Sequence, residues 1–177
     1  NVFDDFIGAA EFLIAEGYTN PKKLGVYGGS NGGLLIGALM TQRPDLFAAA
    51  VCAVPLLDMV RYHRFLIARY WIPEYGDPDV EADFRTILRY SPYHNVRTGV
   101  NVPPTMVTAG ENDTRVDALH AKKFAARLQN NEGQIDPILL YIDFESGHGS
   151  GKSTEQQVFD QEIRWRFFMN LLGMNEG

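Results

Sequence analysis

A single cysteine, Cys52, stands in the whole chain, so an internal disulfide and a cysteine-rich zinc site are both excluded. It lies in the apolar run Ala48-Ala49-Ala50-Val51-Cys52-Ala53-Val54 and reads as a core residue. No stretch reaches the roughly 18 consecutive apolar residues of a membrane helix, and no charged-then-apolar start resembles a secretory signal. A soluble chain with no membrane partner is expected. Positive charge is also scarce: 16 Lys and Arg stand against 22 Asp and Glu, for a formal net charge of -6. Phosphate backbones and anionic surfaces attract basic proteins, so no nucleic-acid partner is expected. Internal repeats, low-complexity tracts and linkers are missing as well. At 177 residues the chain has the size of one domain with its own core.

What is present is an alternation of two hydrophobic periods. From Val2 to about Glu16 apolar residues recur every three or four positions, which predicts a helix closed at Gly17. Leu24 to Gly28 is a short apolar run ending in glycines, as in a buried strand. A helix follows over Asn31 to Gln42, stopped before Pro44. Further strands are predicted at Ala48 to Val54, Thr105 to Ala109 and Ile138 to Ile142, the last two introduced by prolines. Helical patterns fall within 60 to 90, across 117 to 130 and from 155 to 172. Strands alternating with helices imply a mainly parallel sheet of about four strands with helices on both faces. The long gap between Val54 and Pro104, rich in Arg, Tyr, Trp and Pro, predicts an irregular excursion over one end of that sheet. Asn1 opens directly into the first helical pattern, which predicts a piece cut from inside a longer protein.

Gly28-Gly29-Ser30-Asn31-Gly32 matches G-x-S-x-G with a strand before it and a helix after it. In that setting Ser30 is exposed at the carboxyl end of the sheet, and the Asn31 backbone N–H, at a helix N-terminus, is available to a developing oxyanion. A serine hydroxyl is a weak nucleophile and needs a base, which in turn needs an acid to fix its tautomer. Of the four histidines, His63 and His120 fall in helical patterns and His94 precedes a loop. His148 follows the fourth strand in Ser146-Gly147-His148-Gly149 and is the candidate base. Asp113, after the third strand, is the candidate acid; Glu111 is a rival, Asp136 and Asp143 flank or lie in the fourth strand, and Asp58 comes too early. The order Ser, Asp, His is that of α/β-hydrolases.

One pattern points elsewhere. Gly147 to Ser153 ends in the Gly-Lys-Ser of a phosphate-binding loop, but that pattern requires Gly where Ser146 stands. Only one helix follows, leaving no strand for a magnesium-binding acid. Lys152 is therefore read as a solvated charge near a helix start.

Gly28 to Gly33, Tyr75-Gly76-Asp77-Pro78, Tyr90 to Val96, Asp113-Thr114-Arg115-Val116 and Gly147-His148-Gly149 together resemble the prolyl oligopeptidase family of serine peptidases, over essentially the whole chain. The resemblance implies a triad of Ser30, Asp113 and His148. It also implies that Trp71 is the surface on which a substrate proline stacks, with Tyr75 and Val116 in the same pocket and Arg115 bonding a substrate carbonyl. In the related oligopeptidase B branch an acid stands near the place of Trp71, so Trp71 favours proline over basic residues, while Glu74 brings negative charge toward the pocket. Family members carry a β-propeller and the first hydrolase strands upstream, together with a tyrosine that supplies a second oxyanion donor. The expectation is thus a C-terminal portion of an α/β-hydrolase peptidase domain over 1–177, acting on short peptides without metal or organic cofactor. Its alternatives are a hydrolase of esters or acyl-amino acids on the same fold, or a piece that folds and self-associates through its exposed sheet edge without turnover.

Overall fold

A computed structural model of the chain describes residues 1–149 and 151–174. Four strands, β1 (Gly25–Gly29), β2 (Ala49–Ala53), β3 (Thr105–Gly110) and β4 (Ile138–Asp143), form one sheet in the order β1-β2-β3-β4. All three pairings are parallel, so every connection is a crossover. The predicted strands are present with ends shifted by at most one residue, and the sheet is entirely parallel rather than mainly so.

The central strands β2 and β3 are buried along most of their length on both faces, which suits short apolar runs, whereas β1 and β4 at the sheet edges keep exposed side chains such as Tyr27 and Leu139. Successive side chains of β2 point to opposite sides. Ala50 and Cys52 join a core with helices α1 (Val2–Ala15), α2 (Asn31–Gln42) and α5 (Leu119–Gln129), while Ala49 and Val51 meet Phe168 on helix α6 (Thr154–Leu171). Cys52 is buried, and burial pushes its thiol pKa up to about 12. The excursion after β2 contains three short 3-10 turns, the four-residue α3 (Ile72–Tyr75) and the longer α4 (Glu81–Tyr90). It closes on a second core of Leu56, Met59, Tyr62, Ile87 and Val116. That second core sets the excursion beside the carboxyl ends of the strands. Among the described residues no helix is long and apolar enough to cross a membrane.

Candidate active site

Ser30 occupies the residue between β1 and α2, with φ 58 and ψ -117. A side chain at positive φ is strained and persists only where its surroundings over-determine it. Here the Ser30 N–H donates to the Ala53 carbonyl at 2.8 Å and the Ser30 carbonyl accepts from Leu34 N–H at 3.1 Å, fastening the turn to β2 and to the helix. Gly28 lets strand and helix meet: a Cβ there would lie 2.2 Å from the Gly32 carbonyl oxygen. The Asn31 N–H belongs to the first turn of α2, where no intrahelical carbonyl can take it. The Asn31 side chain is held by Tyr75, whose hydroxyl donates to Oδ1 at 2.9 Å.

Asp113 lies past β3 and His148 past β4, and the two meet Ser30 across the strand ends. His148 Nδ1 is 2.6 Å from Asp113 Oδ2, and His148 Nε2 is 2.9 Å from Ser30 Oγ. Asp113 Oδ1 accepts from the N–H groups of Arg115 and Val116 at 2.8 and 2.9 Å. Burial works to raise the Asp113 pKa, but the bonds from His148, Val116 and Arg115 outweigh it and hold the carboxyl below its ordinary value. An ionised carboxylate only accepts. His148 therefore donates from Nδ1, and in the neutral ring it is Nε2 that carries the lone pair, facing the serine hydroxyl. The Asp113 side chain is fully buried and that of His148 is 16% exposed, so the pair sits at the edge of the protein interior with one face open. A cavity of about 380 Å³ adjoins Ser30 and His148 on the α6 side, with Tyr27, Lys152 and Arg164 in its wall.

The other histidines and the rival acids have partners of their own. His120 is buried and accepts from Leu57 and Asp58 N–H at Nδ1; burial lowers its pKa to about 4. His94 faces Asp58, and His63 faces Asp79. Glu111 pairs with Lys122 and Asp143 with Lys152. Asp58, buried within the molecule, is held by Lys123 and Arg61. His63, Asp77 and Asp79 offer ligand atoms within 4.8 Å of one another, but Arg64 already pairs with Asp79 at 2.8 Å.

Trp71, Tyr75 and Val116 pack in the second core, and the Arg115 guanidinium sits 6.0 Å from the centre of the Trp71 ring. Val116 is buried and bonded to Asp113 by its backbone, so the wall of this aromatic patch is continuous with the buried acid. Glu74 lies at a second cavity with Tyr75 and Asn31.

One sequence reading needs correction. Lys152 is not a solvated charge: its side chain is 11% exposed and its ammonium pairs with Asp160 at 2.5 Å and Asp143 at 3.2 Å. Both partners stand in other elements, β4 and α6, so spacing did not reveal them. The two carboxylates also leave no free positive charge for a phosphate. Ser150, in the middle of that glycine-rich run, lies outside the described residues.

The family model described as the prolyl oligopeptidase family matches residues 1–175. A prolyl endopeptidase of Dictyostelium discoideum is 45% identical over 177 residues, covering 98% of this chain and 23% of its own length. A solved structure from a study of two prolyl endopeptidases superimposes with a TM-score of 0.95 at 50% identity, over 97% of this chain and 25% of that one. Prolyl oligopeptidase B of Galerina marginata, solved with a 35mer hydrolysis and macrocyclization substrate, gives 0.92 at 40% identity over 98% of this chain and 25% of that one. The chain thus spans about a quarter of the length of the relatives it matches.

Proposed function

The chain belongs to the prolyl oligopeptidase family, and on that premise we propose that it carries the nucleophile, base and orienting acid of a serine peptidase that cuts short peptides after proline. The observation that carries this reading is the imidazole of His148, bonded to Asp113 on one side and to Ser30 on the other. In the first half-reaction Ser30 Oγ attacks the scissile carbonyl while His148 Nε2 takes its proton. His148 then gives that proton to the leaving amine, and an acyl-enzyme remains on Ser30. Water, deprotonated by the same nitrogen, releases the acid and restores the serine. Asp113 stays ionised throughout and stabilises the imidazolium. The Asn31 N–H is one donor to the oxyanion; a single donor of this type is worth about 100- to 1000-fold in rate.

Trp71 supports the preference for proline. A flat ring offers large contact area to a rigid pyrrolidine without demanding a hydrogen bond, and Tyr75 and Val116 border it. Arg115, beside the same ring, is the donor for a substrate carbonyl.

The test is turnover of a Gly-Pro anilide and of a short acyl ester by the intact protein and by Ser30→Ala. The reading expects anilide cleavage that falls by about 10^5- to 10^6-fold in the variant. Ester turnover with the anilide untouched would favour an ester hydrolase instead. Failure of a fluorophosphonate to label Ser30 would mean that the chain folds without performing the chemistry.

A further inference from the structure

Among the described residues, the backbone fastenings of the histidine loop lie on its leading stem. Its leading stem, leaving β4, is bonded to the segment that carries Asp113: Glu111 N–H donates to the Asp143 carbonyl at 2.8 Å and Asn112 N–H to that of Ser146 at 3.1 Å. The Asn112 side-chain amide donates to the Phe144 carbonyl at 2.8 Å. A Cβ on Gly110 would lie 2.3 Å from the Gly147 carbonyl oxygen, so β3 and the loop are already in contact up to His148. The trailing stem runs through Gly149 and Gly151, both at positive φ, into the capping box of α6 at Ser153 and Gln156. Between those glycines and the helix stands one long side chain, that of Lys152.

We propose that Lys152 is a positioning residue, whose ammonium, shared between Asp143 at the end of β4 and Asp160 on α6, closes the loop on itself and holds His148 against Ser30. Lys152 Nζ reaches Asp143 Oδ2 at 3.2 Å and Asp160 Oδ2 at 2.5 Å, while the Lys152 carbonyl accepts from Gln157 Nε2 at 3.0 Å. The first contact ties the trailing stem to the origin of the leading one; the second ties both to the helix that covers this face of the sheet. With Lys152 11% exposed and Asp143 15%, the pair is shielded from the solvent screening that makes surface ion pairs weak, and removing the cation leaves two carboxylates facing each other without it. Lys152 lines the cavity that also receives Ser30 and His148, yet its charge is consumed by its two partners. Its role runs through the histidine rather than through substrate.

This inference rests on the serine-hydrolase reading for its catalytic consequence but not for its structural one, and the two are measured separately. In the intact protein labelled at histidine, NMR follows the Nδ1 proton of His148, assigned by its loss in His148→Gln. Lys152→Met is expected to abolish the sharp downfield signal of that proton, and Lys152→Arg to restore it, at unchanged signals from His120. If the wild-type Ser30 reacts with a fluorophosphonate, the same Lys152→Met change slows labelling by about 10- to 100-fold, again with rescue by arginine. An unaltered His148 signal in folded Lys152→Met overturns the inference whatever the labelling shows. A wild type that is inert to the reagent counts against the hydrolase reading alone, and the NMR result still decides the role of Lys152. Should Lys152→Met not fold, Asp160→Asn, which removes one partner at the helix, is held to the same loss and the same refutation.

Discussion

His120 is kept neutral by the backbone. Its Nδ1 accepts from two N–H groups, those of Leu57 and Asp58 at 3.2 and 3.0 Å, and an imidazolium has no lone pair with which to do so. Burial lowers its pKa to about 4 from an ordinary 6.5. The unfolded chain therefore binds the proton first as pH falls, and stability rises with pH wherever the unfolded state binds more protons. The stabilisation is complete above pH 6.5 and is lost as pH drops from there toward 4. Denaturant melts of wild type and His120→Asn, whose side-chain oxygen preserves an acceptor without titrating, should show a shallower loss of stability for the variant over that window, by a few kcal/mol at its lower end. The sequence already separated His120 from His148, because one sits in a helical pattern and the other in a glycine-flanked loop after a strand. It could not reveal the two amides that His120 accepts from, since they lie far away along the chain. Lys152 failed to read correctly for a related reason: Asp143 and Asp160 stand only nine and eight positions away, but on a strand and a helix whose packing against each other the sequence does not report.

At the level of elements, the two glycines of the serine turn have opposite fates. A Cβ at Gly28 would meet the Gly32 carbonyl oxygen at 2.2 Å and Ile36 Cγ1 at 2.8 Å, whereas nothing lies within 4 Å of one at Gly32. Gly28→Ala should force α2 away from β1, lowering stability by about 1–3 kcal/mol and slowing fluorophosphonate labelling of Ser30 even at temperatures well below its melting point. Gly32→Ala, inside the helix, should melt at or slightly above wild type. Thermal melts of the two variants side by side check this contrast. The motif alone does not distinguish them, because G-x-S-x-G marks both positions equally. Strands were legible to within one residue because each run is short, apolar and bounded by Pro, Gly and polar turns. α2 was legible over its full length, Asn31–Gln42, between the serine turn and Pro44. The excursion between Val54 and Pro104 was legible as irregular with a helical pattern within 60 to 90, where α4 (Glu81–Tyr90) lies. Its 3-10 turns at Tyr62–Arg64 and Ala68–Trp71 are set by burial of Tyr62 and Ala68 against partners that no local period reports.

On the scale of the whole molecule, β1 is an edge strand among the described residues: the sheet order places β2 on one side of it and no described strand on the other. An unpaired edge is a template for another chain, and Tyr27 on β1 is 49% exposed. Self-association of this chain through that edge is expected, with light scattering showing a mass that grows with concentration. A monodisperse monomer at high concentration would refute it. The fold was legible at this scale because Ser30, Asp113 and His148 each follow a different strand, and three strand ends in one parallel sheet face the same way; the family was legible from the resemblance of the motif segments, not from that geometry.

That last arrangement also orders events in time. Ser30 and His148 are separated by 118 positions along the chain, and no hairpin joins any two neighbouring strands, so the loop-closure entropy of every crossover is spent before the serine meets its base. Local helices form early in such a topology, and the nucleophile is assembled only when the outer strand β4 has docked on β3. During refolding, covalent capture of Ser30 should lag the recovery of helical signal, which makes the hydroxyl a clock for the final step of folding.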